Sequence, residues 1–192
     1  MKKVLLLLLA FACVFSMFGC GDERLEAFVT AAEATDPAVV NISSELKSEL
    51  GTLKSNITTT YNEDGSFVMD YSYDELNTSS AGAADEVIVT KTGKVTCDAD
   101  GNYSDGGSFK GKNEVTTGIS LNLDEDLLDY TISQDGNSLT AKVNAADTAE
   151  ALGVDLGADA TITVNMIDGK ITSYTIAYTS ELGDVSIVCA YE

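Results

Sequence analysis

From Leu53 onward the apolar residues of this chain return at every second position, the period of an extended strand whose side chains point alternately to opposite faces. Phe67, Met69, Tyr71 and Tyr73 alternate with Val68, Asp70, Ser72 and Asp74. The alternation recurs as Ile57/Thr59/Tyr61, Ile119/Leu121/Leu123, Leu128/Tyr130/Ile132, Leu139/Ala141/Val143, Ile162/Val164/Met166, Tyr174/Ile176/Tyr178 and Val185/Ile187/Cys189/Tyr191. Strands with one dry and one wet face belong in an antiparallel sheet packed on one side. The joints agree with that assignment. Asp64-Gly65, Asp100-Gly101, Asp135-Gly136 and Asp168-Gly169 are hairpin turn signals, because Gly and Asp accept the positive φ such turns need.

Upstream the period is helical. Leu25, Phe28, Val29 and Ala32 fall at i, i+3, i+4 and i+7, and Asp22 and Glu23 occupy the first turn, where the helix dipole favours acids. Asp36 followed by Pro37 fits an N-cap and first helical position, with Gly51 as the stop and Val39, Ile42 and Leu46 along one face. These features predict a second helix, or one helix kinked at Pro37. A short helix is expected over 144–153, capped by Asn144 or Asp147 and ended by Gly153. The fold class is therefore α+β, an amphipathic helix near the N terminus packed on a long antiparallel meander with one short late helix. Residues 77–86 and 104–113 are small, polar and Gly-rich, and are expected to be the least ordered.

The first nineteen residues have a different character. Lys2 and Lys3 precede an apolar run from Val4 to Phe18, broken only by Ser16 and too short for a bilayer core that needs about 20 apolar residues. This is the pattern of a secretory signal peptide. The run stops at Gly19-Cys20 and the chain turns polar at Gly21-Asp22, a boundary that resembles the lipobox of bacterial lipoproteins. Met17 and Phe18 stand where that motif usually carries a Leu-like and a small residue. The resemblance implies acylation of the Cys20 thiol, cleavage after Gly19, and a lipid-anchored domain, 20–192, on the extracytoplasmic face of a bacterial membrane. Ala12-Cys13 is the rival site, and cleavage there would leave Val14, Phe15, Met17 and Phe18 on the mature terminus. A plain secreted protein and an uncleaved signal anchor are the other outcomes.

With Lys2 and Lys3 removed, nine basic residues face 31 acidic ones, a formal charge of −22. Nucleic acid is excluded as a partner by that balance, and an anionic bilayer surface repels the domain, which therefore stands off on its acyl anchor. The sequence has no His, so Ser-His-Asp and Cys-His catalysis and histidine metal sites are absent. It carries no G-x-S-x-G, P-loop or C-x-x-C, and Arg24 is its sole arginine. A non-enzymatic protein without cofactor or metal is expected. Asp98, Asp100 and Asn102 start like a calcium loop, but Tyr103 and Phe109 stand where Gly and Glu are required, so a hairpin turn is the better assignment. The acidic run 123–129 is likewise expected to be a solvated turn.

The order of lipidated Cys, amphipathic helix, one-sided meander, short helix and final strands resembles the LolA/LppX-like superfamily of envelope lipoproteins and carriers. That resemblance implies a strongly curved half-barrel and binding of acyl chains or lipids in its concave face. Alternation places Tyr61, Phe67, Met69, Tyr71, Tyr73, Tyr130, Tyr174 and Tyr178 on the apolar face, as candidate contacts for a lipid or other apolar ligand. A buried Tyr needs a partner for its hydroxyl, which suits a cavity mouth or a partly polar ligand. The alternative is a surface interaction or structural lipoprotein whose core is filled by the helix. Cys97 and Cys189 should also face inward, either as a disulfide formed after export or as two buried thiols.

Overall fold

The computed structural model describes residues 22–49, 51–76, 88–105, 122–124 and 126–192. Its alternating segments form ten antiparallel strands: β1 (Val39–Ser48), β2 (Gly51–Tyr61), β3 (Phe67–Leu76), β4 (Ile88–Cys97), β5 (Tyr103–Asp105), β6 (Asp129–Ile132), β7 (Ser138–Val143), β8 (Ala160–Ile167), β9 (Lys170–Ser180) and β10 (Gly183–Tyr191). They make one open sheet in the order β5-β4-β3-β2-β1-β10-β9-β8-β7-β6. Two five-stranded meanders thus run outward from a central seam where β1 pairs with β10, Val40 opposite Tyr191 and Lys47 opposite Asp184. Ile119 and Leu121, expected in a strand, lie outside the described residues, as do Gly19 and Cys20; Leu123 is buried but belongs to no strand.

Helix α1 (Glu23–Ala34) starts where expected. The Asp22 carboxylate accepts the Arg24 N–H at 3.0 Å, and Glu23 and Glu26 sit in the first turn. Leu25, Phe28 and Ala31 are buried. At the far end the Thr35 hydroxyl donates to the Ala31 carbonyl at 2.6 Å and accepts the Ile171 N–H at 2.9 Å, fixing the end of the helix to β9.

The helix expected over 36–51 is instead β1 and its turn. Val39, Ile42 and Leu46 do fit one helical face, but Val40, Ile42, Ser44 and Leu46 fit an alternating row equally well, and Val39, Val40 and Ile42 are β-branched. Long-range pairing decides between them. β1 is hydrogen-bonded along both edges, to β2 and to β10, and as a helix it would leave both partners open. Gly51 is no helix stop: it opens β2 at φ 129°, paired with Ser48, whose hydroxyl donates to its carbonyl at 3.1 Å.

Between β7 and β8 a single 3₁₀ turn (Ala145–Asp147) leads into α2 (Thr148–Leu152), ended by left-handed Gly153 at φ 69°. Neither Asn144 nor Asp147 caps with its side chain. The Asp159 carboxylate does that work from across the loop, accepting the Ala145 N–H at 2.9 Å. On the wet face one row across nine strands reads Thr131, Thr140, Thr163, Thr175, Val188, Ser43, Asn56, Ser72 and Thr92. No charge interrupts it, and seven of its nine members are Ser or Thr, the exceptions being Val188 and Asn56.

Candidate functional site

Register places the eight candidate residues on one face. Ile42, Ile57, Tyr71 and Gly93 form a row on one side of the seam, and it continues through Cys189, Tyr174, Val164, Leu139 and Ile132 on the other. Tyr61 lies opposite Phe67, Tyr178 opposite Val185, and Tyr130 opposite Ala141 in the row that leads to Ile187. What alternation does not reveal is that this face carries two apolar clusters.

The first cluster spans β6 to β10 with β1. Helix α1 rests chiefly on β9, and its Phe28, at 0 % exposure, belongs to the same cluster as Leu139, Ile162, Val164, Tyr174 and Ile176. Burying one such aromatic contributes about 1.5–3 kcal/mol relative to exposing it. Tyr130 and Tyr178 are half-buried at its margin. The second cluster lies on β3 and β4, where Phe67, Met69, Tyr71, Val95 and Cys97 are buried and Ile57, Tyr61 and Tyr73 lie at the margin. Among the described residues both helices belong to the first cluster, and Tyr61 touches both.

The second cluster is built on a glycine. Gly93 stands directly across from Tyr71, and a side chain there would fall on the Tyr71 ring. The ring therefore lies flat over the neighbouring backbone, stacked on Tyr73 with centroids 6.3 Å apart and planes 22° apart. Phe67 meets Tyr61 at 5.9 Å and Tyr103 edge-on at 6.0 Å. At the wet end Lys91, opposite Tyr73, pairs with Glu75 at 3.3 Å. The sequence holds a signal for this arrangement, since a glycine inside a strand marks close approach by another group. Alternation alone passes over it.

Cys97 and Cys189 are free and buried, and the expected disulfide is not formed. They lie on β4 and β10, with β3, β2 and β1 between. Four strand spacings amount to about 19 Å along the sheet, whereas a disulfide takes about 4.4–6.8 Å between Cα atoms. Burial pushes both thiols above the ordinary cysteine value. Cys189 sits with Tyr174 and Tyr191, and burial, then the neighbouring Tyr174, drives the Tyr191 phenol far above the tyrosine range.

The acidic stretches form turns. The Asp98 carboxylate accepts the N–H groups of Asp100 and Asn102 at 3.0 and 2.8 Å, and the Asn102 bonds hold it below the usual carboxylate range. Asp124 accepts the Asp126 N–H at 2.9 Å. No group of three metal-ligating side chains occurs among the described residues, and no described helix is long and apolar enough to cross a membrane. An open groove of about 300 Å³ lies near the β9–β10 turn, between Asp159, Thr161, Tyr178 and Asp184. Its polar groups include two carboxylates and the Thr179 hydroxyl, which donates to Asp184 at 2.8 Å, beside the apolar Ala177 and Val185.

No protein-family model and no curated protein matches the sequence. Among solved structures the chain is similar to a dehydratase domain from the CurF module of curacin polyketide synthase, at 8 % identity and a TM-score of 0.22, over 85 % of this chain and 79 % of that one, a likeness too slight to bear on the site.

Proposed function

We propose that this protein is an extracytoplasmic lipoprotein, anchored through acyl groups on Cys20, that binds a lipid or other apolar ligand against the inner face of its sheet and carries out no catalysis. The observation that supports the ligand is the second cluster: Phe67, Met69 and Tyr71, margined by Tyr61 and Tyr73, lie apart from the core that α1 fills. Aromatic rings with polar tips suit an amphiphile whose chain lies among Phe67 and Met69 and whose polar end meets the Lys91–Glu75 rim. In this proposal the ten strands are the wall of a half-barrel of the LolA/LppX-like kind. The anchor rests on Lys2-Lys3, the apolar run and Gly19-Cys20. Each acyl methylene in the bilayer contributes about 0.8 kcal/mol, so a diacylated and N-acylated Cys exceeds the two-signal requirement for stable attachment.

A second reading, an interaction lipoprotein with a filled core, is favoured by Phe28, which is completely enclosed beneath α1. Native mass spectrometry of the tagless domain separates the two by showing or failing to show a co-purified ligand. A fluorescent acyl probe should bind saturably, and Tyr71→Asp should weaken it at least tenfold, about 1.4 kcal/mol, while Ser72→Asp on the opposite face leaves it unchanged. Tyr71→Leu, which keeps the site apolar, guards against a mere folding defect. Equal effects of Tyr71→Asp and Ser72→Asp, or no saturable binding, favour the filled core. The anchor is tested separately: Cys20→Ser should abolish metabolic labelling by a fatty-acid probe, and undiminished labelling overturns it.

A further inference from the structure

An Asp-Gly step is prone to intramolecular ring closure, because glycine leaves its nitrogen unshielded. This chain has five such steps, Asp64-Gly65, Asp100-Gly101, Asp105-Gly106, Asp135-Gly136 and Asp168-Gly169, of which Asp105-Gly106 runs outside the described residues. Three of them have the attacking nitrogen engaged. Gly65 donates to the Asn62 carbonyl at 3.0 Å, Gly101 to Asp98 at 2.9 Å and Gly136 to Ser133 at 3.0 Å. At two of these the carboxylate is occupied as well. Asp64 accepts the Ser66 N–H and hydroxyl at 2.9 and 2.6 Å, and Asp135 accepts the Ser133 hydroxyl and Asn137 N–H at 2.6 and 3.2 Å.

Asp168-Gly169 differs on both counts. Among the described residues neither the Gly169 N–H nor the Asp168 carboxylate makes a hydrogen bond, and both residues are exposed. They form the two-residue turn between Ile167 and Lys170, at φ 51° and 72°, and Asp168 is the one non-glycine residue at positive φ among those described. A register shift at Asn165/Met166 separates the last two pairs of this hairpin from the regular β8–β9 ladder.

We propose that Asp168-Gly169 is a site of spontaneous backbone modification, closing to an aspartimide and reopening to isoaspartate. The Gly169 nitrogen loses its proton and bonds to Asp168 Cγ, and the carboxyl oxygen leaves as water. Water then adds to either carbonyl of the ring. One opening restores aspartate; the other routes the main chain through Cβ and Cγ at no net change in mass. The added methylene does not fit a two-residue hairpin turn, so the Ile167–Lys170 pair opens. The N–H of Ile171, held by Thr35, is where the disturbance meets α1.

The test is incubation of the full chain in warm neutral buffer, native and in parallel in urea, followed by peptide mapping with electron-transfer fragmentation, which distinguishes isoaspartate. In urea all five steps should react. In the native protein Asp168 should convert at close to its urea rate, while Asp64, Asp100 and Asp135 are suppressed several-fold. Suppression of Asp168 as strong as that of the other three, faster conversion at any of them, or no isoaspartate at Asp168 in either sample overturns the proposal. Asp168→Glu, which would need a larger ring, should abolish the signal from that peptide, and its persistence counts equally against the assignment.

Discussion

Tyr191 shows how one side chain ties the sheet to pH. It lies at the end of β10 with its ring 6.1 Å from that of Tyr174, beside the Cys189 thiol. Its folded pKa lies above the unfolded value of about 10. The stability it contributes is therefore fully present below that unfolded value and is lost as pH rises beyond it, because the unfolded phenol ionises while the folded one does not. We expect the urea midpoint to fall steeply above about pH 10, and Tyr191→Phe to remove part of that slope, up to about 1.4 kcal/mol per pH unit for one proton. Parallel slopes in the two proteins would assign alkaline unfolding to other groups. The acids behave in the opposite sense. Asp22, Asp64, Asp74, Asp98 and Asp135 are held below their usual range, first by side-chain hydrogen bonds, so what they contribute persists above the unfolded value and is lost as pH falls through the folded one. Residue by residue, most of the inward face was legible: the alternation names the Tyr, Phe and Met residues that register puts there except Tyr103, which stands opposite Cys97 on the short strand β5. Pairing was not. Cys97 and Cys189 both face inward, yet whether they meet depends on strand order, which no local pattern carries.

Two hairpins share the same four letters. Ser48-Glu49-Leu50-Gly51 joins β1 to β2, and Ser180-Glu181-Leu182-Gly183 joins β9 to β10. In each the serine hydroxyl donates to the glycine carbonyl, at 3.1 and 3.0 Å, and each glycine adopts positive φ, 129° and 142°. The turns sit side by side, since β1 and β10 are neighbours, and Gly183 packs so close beneath β1 that a Cβ would strike the Lys47 carbonyl. Gly183→Ala should therefore cost about 3 kcal/mol or more, adding a backbone clash to the strain of that φ. Gly169→Ala, whose side chain would meet nothing, should cost only about 1–2 kcal/mol. Denaturant midpoints of the two variants check the order, and equal losses would show that φ alone governs. The repeat also explains why β1 was hard to read. Gly51 was visible as punctuation, and it marks a turn here as it marks a helix end elsewhere; only the equivalent Gly183, flanked by clear strands, distinguishes the two.

At the scale of the whole chain, charge opposes the fold. Four ion pairs on or near the sheet, Lys47 and Lys54 with Glu45, Lys91 with Glu75 and Lys94 with Asp70, involve exposed or half-exposed groups and contribute little each. Against them stands the repulsion of 31 acidic residues facing 11 basic ones. Sodium chloride should raise the melting temperature as the screening length shrinks to about 8 Å near 0.15 M, and a fall in melting temperature would mean that attractive pairs outweigh the repulsion. The seam between β1 and β10 also sets an order of events. The last of the ten strands to be synthesised completes the middle of the sheet, so until β10 emerges, β1 and β9 are open edges and the two meanders have no ladder between them. Assembly must then join residues 151 positions apart, as between Val40 and Tyr191, a non-local closure that cannot begin until the last strand has been made, so a chain still in synthesis holds only two separate meanders.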